Sequence, residues 1–449
     1  MRLVDLTWLS KHFFFPLWEI KDGSHRRQYL RELSASQWWG TEKFRAWQWE
    51  RLREAVGYAF ANVPYYASRY ASAGFDGVLR SPEDFQRLPL LRKEDIRACG
   101  DGLISRKFGR ENLVEARTGG STGTALTLYF DERCQELRNA AAMRSDQWAG
   151  WDIGMQVAAI WGNPPVTDTL KKKLRNLLLD RTIYLDTMDI NDHSVRRFIA
   201  EWRRTRPRVI FGHSHSIYIL ARFLQELGID DLRPDGIIST SMMLLAPERE
   251  VIKQTFGCRV TNRYGCEEVG LIASECEQHA GFHLNVDHVA VEFLREDGSQ
   301  AETGEDANIV VTDLINRGMP LIRYCVGDMG VPSERSCACG RGHPLMERLT
   351  GRQADFLKRP DGSLVAGVSL VERTLTAIPG IEQMQLVQNK LHSLSVKVVR
   401  GTQFDQAAEK ALRHEFESVF GEMVSIEILY VHSLDQTLAG KYRFAICNV

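Results

Sequence analysis

Between residue 113 and about residue 330 the chain alternates short apolar runs with amphipathic stretches, and nothing else in it constrains the fold as strongly. The apolar runs Val157–Trp161, Val209–Phe211, Gly236–Ser239, Arg259–Tyr264, Val289–Leu294 and Ile309–Asp313 read as strands. Helical spacing falls at 131–149, 192–205, 214–227 and 246–256. Strands that alternate with helices predict an α/β fold with a largely covered sheet. Around Gly281-Phe282-His283-Leu284-Asn285 the runs crowd together and read as antiparallel β structure. At 449 residues the chain is too long for one ordinary core. Its character changes after Gly351-Arg352, where a turn is followed by the order helix, strand, strand, helix, strand. The sequence therefore predicts a large α/β domain over 1–350, with a mostly helical lead-in over 1–110, and a small α+β domain over 351–449. In the lead-in, Phe44, Trp47, Leu52, Ala55, Val56, Tyr58 and Ala59 have helix-like spacing, and Val63-Pro64 ends that helix. Ser81-Pro82 opens another, with proline in its first turn.

A net charge of −1 gives no overall pull toward nucleic acid or an anionic membrane. No apolar run is long enough to span a membrane and no signal-peptide pattern is visible, so the expected location is cytoplasmic. Nine cysteines, two of them in Cys337-Ala338-Cys339, favour reduced thiols and a metal site over a disulfide framework. The aromatic cluster Phe13-Phe14-Phe15-Pro16-Leu17-Trp18 reads first as a helix packed on the body, and second as a membrane or partner contact.

The stretch Arg117-Thr118-Gly119-Gly120-Ser121-Thr122-Gly123-Thr124-Ala125 lies between an apolar run and an alternating one. Glycines allow backbone N–H groups to approach an anion, and hydroxyls add donors. The spacing is neither that of a P-loop nor that of a dinucleotide-binding turn. Alone, it reads first as a plain surface loop and second as a phosphate cradle. Four stretches follow in order: Asn262-Arg263-Tyr264-Gly265-Cys266-Glu267-Glu268; Pro320 to Asp328, read as a strand ending in Gly327-Asp328; Gly351-Arg352 with Asp355; and Gly440-Lys441-Tyr442-Arg443.

Together with Val63-Pro64-Tyr65-Tyr66, the run from Asp84 to Leu91 and Lys93-Glu94-Asp95-Ile96, these motifs resemble the adenylate-forming superfamily. The likeness is to its phenylacetate–CoA ligase branch and the related capsule-biosynthesis proteins, and it covers nearly the whole chain. The resemblance implies ATP-dependent, AMP-forming activation of a small carboxylic acid, aryl acids included, followed by transfer to coenzyme A. It implies that Thr118, Gly119, Gly120, Ser121, Thr122, Gly123 and Thr124 hold phosphates, that Tyr264 and Gly265 lie against adenine, and that Asp328 takes the ribose. Arg352 would help hold the nucleotide at the hinge, Glu268 would bind Mg²⁺, and Lys441 would reach the α-phosphate and carboxylate. The sequence departs from the pattern at Thr124-Ala125, Thr240-Ser241-Met242-Met243 and Gln353-Ala354. Transfer to an amine, hydroxyl or carrier protein, or a protein that binds nucleotide without adenylating, are therefore the competing readings. A homodimer is expected only because such dimers are common.

Cys276, His283, Cys337 and Cys339, with His279 as the alternative histidine, form a second constellation. Four N/S ligands suit tetrahedral Zn²⁺, and relatives in the resembled branch carry a structural zinc on this segment. The competing reading is buried free thiols beside a surface histidine. Trp161, His213 and Ser214 end two strands on one expected sheet edge, where the resemblance implies the acyl pocket. Capping of the following helix is an equal reading for Ser214.

Overall fold

The computed structural model describes residues 6–117, 126–162, 164–165, 169–187, 189–352, 356–361, 363–421, 423–435 and 442–449. Helices occupy most of residues 6–103; the longest, Thr41–Asn62, stops at Val63, whose extended backbone also starts the helix Pro64–Ser72. Ser81 caps the short helix Pro82–Gln86 in a reciprocal pair with Asp84, an arrangement worth about 1 kcal/mol. Strands β1 (Val114–Arg117) and β2 (Thr127–Phe130) pair antiparallel on either side of the Gly/Ser/Thr stretch.

The strands β3 (Val157–Trp161), β4 (Thr182–Asp186), β5 (Val209–His213), β6 (Gly236–Thr240), β7 (Val260–Cys266), β8 (Gly270–Glu275), β9 (Phe282–Leu284), β10 (Val289–Leu294), β11 (Ala307–Asp313), β12 (Tyr324–Ser333) and β13 (Leu345–Arg352) form one sheet. Its order is β10-β11-β12-β13-β9-β8-β7-β6-β5-β3-β4. From β7 to β4 every pair is parallel, and from β8 to β10 every pair is antiparallel. Strand β7 serves both halves: it pairs parallel with β6 and antiparallel with β8. The parallel half is buried on both faces, as crossover helices require. Its core joins Ile160, Ile210 and Ile237 to Phe198 and Trp202 of the helix Asp192–Thr205 and to Leu220 of the helix Ser214–Glu226. The antiparallel half shares a core with the lead-in helices, through Phe44, Tyr66, Tyr70, Leu88 and Leu91.

Two features depart from the sequence reading. The run from Pro320 does not end in Gly327-Asp328: regular pairing starts at Tyr324 and continues to Ser333. Arg323 has φ of 50° and Gly327 of 87°, so the backbone bends before the strand and again inside it. Strands β4 and β13 were also not expected. Thr182–Asp186 alternates buried Ile183 and Leu185 over only five residues, and Leu345–Arg352 carries Glu347, Arg348 and Arg352 among its eight residues.

The chain closes in a smaller unit. Strands β14 (Phe356–Lys358) and β15 (Leu364–Ala366) form a hairpin, followed by the helix Gly367–Ala377. Strands β16 (Ile381–Lys390), β17 (Ser393–Arg400), β18 (Ser425–Tyr430) and β19 (Ala445–Cys447) make a sheet of order β18-β17-β16-β19, with the helix Gln406–Phe420 packed on it. Its core includes Leu245 of the large unit, with Met243 packed alongside. Arg222 pairs with Glu382 at 3.2 Å, which ties the small unit to the helix Ser214–Glu226.

Candidate nucleotide and acyl site

The strand ends meet on one edge of the sheet. Parallel strand order reverses between β3 and β5, and the carboxyl ends at such a switch point are the usual ligand position in sheets of this kind. Trp161 ends β3 and His213 ends β5; their rings lie 4.2 Å apart, and Trp161 also stacks on Phe211 at 5.4 Å. His213 is buried. Ser214 does not cap its helix. It is the first helical residue, and its hydroxyl lies 2.6 Å from that of Ser239 and donates to the Met242 carbonyl at 3.0 Å. The side chain therefore fixes the loop after β6, in which Ser241 has φ of 66°.

The motif after β7 stands beside this edge. Gly265 is required by close approach: a Cβ there would meet the Gly270 carbonyl at 2.5 Å and the Leu271 Cα at 2.9 Å, where the β7–β8 register shifts. This bulge turns Glu268 inward, where it is buried. Its Oε1 accepts a hydrogen bond from the Tyr324 hydroxyl at 2.8 Å. Burial and the nearby Glu268 carboxylate hold the Tyr324 hydroxyl far above its ordinary pKa, so it remains a donor. Lys93 Nζ lies 3.9 Å from the same Glu268 oxygen. Tyr264, also buried, donates to Asp328 Oδ2 at 2.9 Å. Strand pairing sets Asp328 opposite Arg352. The side chain of Arg352 lies outside what the structure describes.

Tyr264, Glu268, Asp328 and the backbone of Arg352 thus come together. Tyr324 and Lys93 join them and were not singled out from the sequence. Tyr324 stands four residues before Asp328, and Lys93 lies in the Lys93-Glu94-Asp95-Ile96 motif, to which the reading gave no role. Thr118, Gly119, Gly120, Ser121, Thr122, Gly123, Thr124 and Lys441 lie outside the described residues. The flank of the Gly/Ser/Thr stretch is nonetheless fixed: Arg138 sits over the Phe130 ring at 4.2 Å and donates to the Glu267 carbonyl at 2.7 Å. Next to Lys441, the Tyr442 ring lies 4.4 Å from that of buried His215, which is hydrogen-bonded to Glu248. Phe444 meets the same imidazole at 5.3 Å. The end of the chain is thereby held against the residues that follow His213 and Ser214.

About the loop after β8, Cys276, His283, Cys337 and Cys339 present ligand atoms all within 4.8 Å of one another. Cys276 and Cys337 sulfurs are 3.6 Å apart, and Cys339 Sγ is 3.4 Å from His283 Nε2. His279 is not in this group; its Nδ1 pairs with Glu275 at 3.2 Å. Burial lowers the His283 pKa to about 4 and leaves a neutral imidazole at neutral pH. Burial also pushes up the Cys276 and Cys337 thiols. It acts the same way on Cys339, but hydrogen bonds from Arg341 prevail and bring that thiol below its ordinary value.

Comparison with known proteins assigns the class. Residues 357–448 match the CapK C-terminal domain family. Over 406 residues the chain is 24% identical to Protein CapK of Staphylococcus aureus, covering 89% of this chain and 88% of CapK. It is 26% identical over 421 residues to the phenylacetate-coenzyme A ligase of Thermus thermophilus, covering 90% of each. Among solved structures, 2-hydroxyisobutyryl-CoA ligase in the postadenylation state with 2-HIB-AMP superposes with a TM-score of 0.71 at 19% identity, over 89% of this chain and 88% of that one. The same ligase in its thioesterification state, with 2-HIB-AMP and CoA, gives 0.60 over 92% and 91%. Along about nine-tenths of its length the chain is similar to CapK and the phenylacetate-coenzyme A ligases, and its α/β architecture matches that of solved acid–CoA ligases.

Among the described residues no helix is long and apolar enough to cross a membrane.

Proposed function

We propose that the chain activates a carboxylic acid with ATP and transfers the acyl group to coenzyme A. The observation that carries this reading is the convergence of Tyr264–Asp328 and Glu268–Tyr324–Lys93 on the sheet edge that Tyr442 also approaches. A carboxylate oxygen attacks the α-phosphorus, the bond to the bridging oxygen breaks, and pyrophosphate leaves. The sulfur of the second substrate then attacks the acyl carbon, and AMP leaves. Both steps need charge neutralised at phosphate and water kept from the mixed anhydride.

Each residue has a part in this scheme. Asp328, oriented by the Tyr264 hydroxyl, accepts the ribose hydroxyls, and the Tyr264 ring flanks adenine. Thr118–Thr124 offer backbone N–H and hydroxyl groups to phosphate. Glu268 is a hard oxygen ligand held by Tyr324, and it fits Mg²⁺, which supplies charge neutralisation at the phosphates. Lys93 supplies a cation beside Glu268, where a loop with Thr124-Ala125 offers none. Lys441 would bridge carboxylate and α-phosphate; its described neighbours Tyr442 and Phe444 pack on His215. Trp161 and His213 wall the acyl pocket, whose aromatic lining suits a planar acid.

Three thiols and one neutral imidazole within 4.8 Å fit a four-coordinate structural Zn²⁺. The ion would clamp the loop after β8 to the segment before β13, remote from the reacting atoms.

The test is pyrophosphate release over a panel of aryl and alkyl acids, with and without coenzyme A. Acid-dependent release with a CoA thioester as product supports the reading. Release with no thioester would assign the acyl group to an amine, hydroxyl or carrier protein. No release and no ATP binding would remove the enzyme reading altogether.

A further inference from the structure

Two neighbouring segments hold more than half of the large apolar side chains exposed among the described residues. In the first, Leu6–Asp22, the stripe Leu6, Phe13, Leu17 and Ile20 repeats at heptad and helical spacings and faces outward, with Ile20 78% exposed. In the second, Leu170–Asp180, Leu170, Leu174 and Leu177 repeat at i, i+4, i+7, and Leu170 is 83% exposed. The turns at residues 10–14 and 176–180 pack against each other, and the Arg175 guanidinium lies 5.6 Å from the Trp18 ring. The two stripes therefore run on adjacent elements.

The inner faces of these elements are anchored. Ser10 is buried against Gly154, Lys11 pairs with Asp152, and buried Glu19 holds Arg27. Asn176 is fixed to both backbone groups of Thr182. The exposure is thus that of firmly held helices, not of fraying ends.

Charge says what covers this face. Lys171, Lys172 and Lys173 are all exposed and lie between Leu170 and Leu174, and Lys21 follows Ile20. Long lysine stems can lie along an apolar surface while their ammonium groups reach outward. Leucine and aromatic side chains on one face with lysines beside them match an interfacial helix on anionic lipid. A two-fold contact centred on this face would set one Lys171-Lys172-Lys173 run against another, which repulsion disfavours. We propose that the face formed by residues 6–20 and 170–177 docks on an anionic lipid surface. Its apolar stripes enter the headgroup–acyl boundary, and Lys171 and Lys173, which flank the leucine stripe on the helix, meet lipid phosphates.

The experiment is sedimentation of the full chain with vesicles of phosphatidylcholine alone and with phosphatidylglycerol added. The wild type should bind the anionic vesicles, and added salt should weaken binding. Lys171→Glu and Lys173→Glu together should lower the partition coefficient about a hundredfold or more. Leu17→Glu with Leu174→Glu should abolish binding, with thermal unfolding unchanged; Leu170→Ser, at a more exposed site, should weaken it several-fold. Absence of wild-type binding, or equal binding by all variants, overturns the proposal. So does sedimentation velocity that shows a dimer dissociated by Leu17→Glu and Leu174→Glu with no lipid binding, which assigns the face to a second copy.

Discussion

The most informative single substitution is Tyr324→Phe. The Tyr324 side chain is fully buried, and its hydroxyl makes the 2.8 Å bond to Glu268. Phenylalanine keeps the ring and removes only that donor. A hydrogen bond to a charged acceptor contributes about 1.5–3 kcal/mol. Glu268 would retain Lys93, whose Nζ is 3.9 Å away on a partly exposed side chain and cannot replace the lost direction. If Glu268 is the Mg²⁺ ligand, the loss falls on metal binding: about 10- to 100-fold more Mg²⁺ would be needed for half-maximal pyrophosphate release. Unfolding free energy should fall by about 1.5–3 kcal/mol, small enough to leave the variant folded. The assay is continuous pyrophosphate detection at saturating ATP and acid, titrated with Mg²⁺, beside urea unfolding of both proteins. An unchanged Mg²⁺ midpoint in a stable variant would refute the assignment of Glu268 as a ligand oriented by Tyr324.

Other outcomes follow from the same geometry. Lys93→Met removes a cation worth between about 1 kcal/mol in water and 4 kcal/mol at an effective dielectric of 20; kcat/KM for pyrophosphate release should fall about 10- to 100-fold, and an unaltered value would leave Lys93 without a part in the site. Elemental analysis should find one zinc per chain, lost together with several degrees of Tm when Cys337 and Cys339 are both changed to Ser; a metal-free protein of unchanged Tm would contradict the clamp. Burial lowers the His288 pKa to about 4, from an unfolded value near 6.5, so the folded state favours the neutral ring. This contribution is complete above pH 6.5 and is lost as pH falls from there through 4, so denaturant unfolding at pH 5 should show about 2 kcal/mol less stability than at pH 7. His288→Gln should flatten that slope, and an equally steep profile in the variant would assign it to other groups.

The sequence made β3, β5, β6 and β7 legible because each is a short apolar run, and local signals mark the starts of two of the helices between them; β4, with only Ile183 and Leu185 buried, was missed. Asn191 capping the helix Asp192–Thr205 and Pro247 opening the helix Ala246–Phe256 are local signals. The antiparallel half was harder. Strand β12 was read as a strand, but the positive-φ bulge at Gly327 hid its continuation to Ser333, and β13 is rich in charge and shows no strand periodicity. In the site, Tyr264 and Asp328 were found as motif residues, but their hydrogen bond joins residues 64 positions apart and has no sequence signal. Lys93 and Tyr324 were missed because partnership with Glu268 is a tertiary fact. The two cysteine–histidine spacings left the fourth metal ligand open between His279 and His283. Backbone geometry separates them: His279 sits at φ of 50° in the turn and points to Glu275, whereas His283 lies in β9 facing Cys339.

The central claim is acid activation by adenylation with Lys441 at the reacting phosphate. Acid-dependent pyrophosphate release by the wild type and by Lys441→Ala tests it directly, with ATP binding followed in parallel. The account predicts release with at least one acid in the panel, none above background in Lys441→Ala, and ATP binding largely retained in that variant. Pyrophosphate formation at the wild-type rate in Lys441→Ala would contradict it.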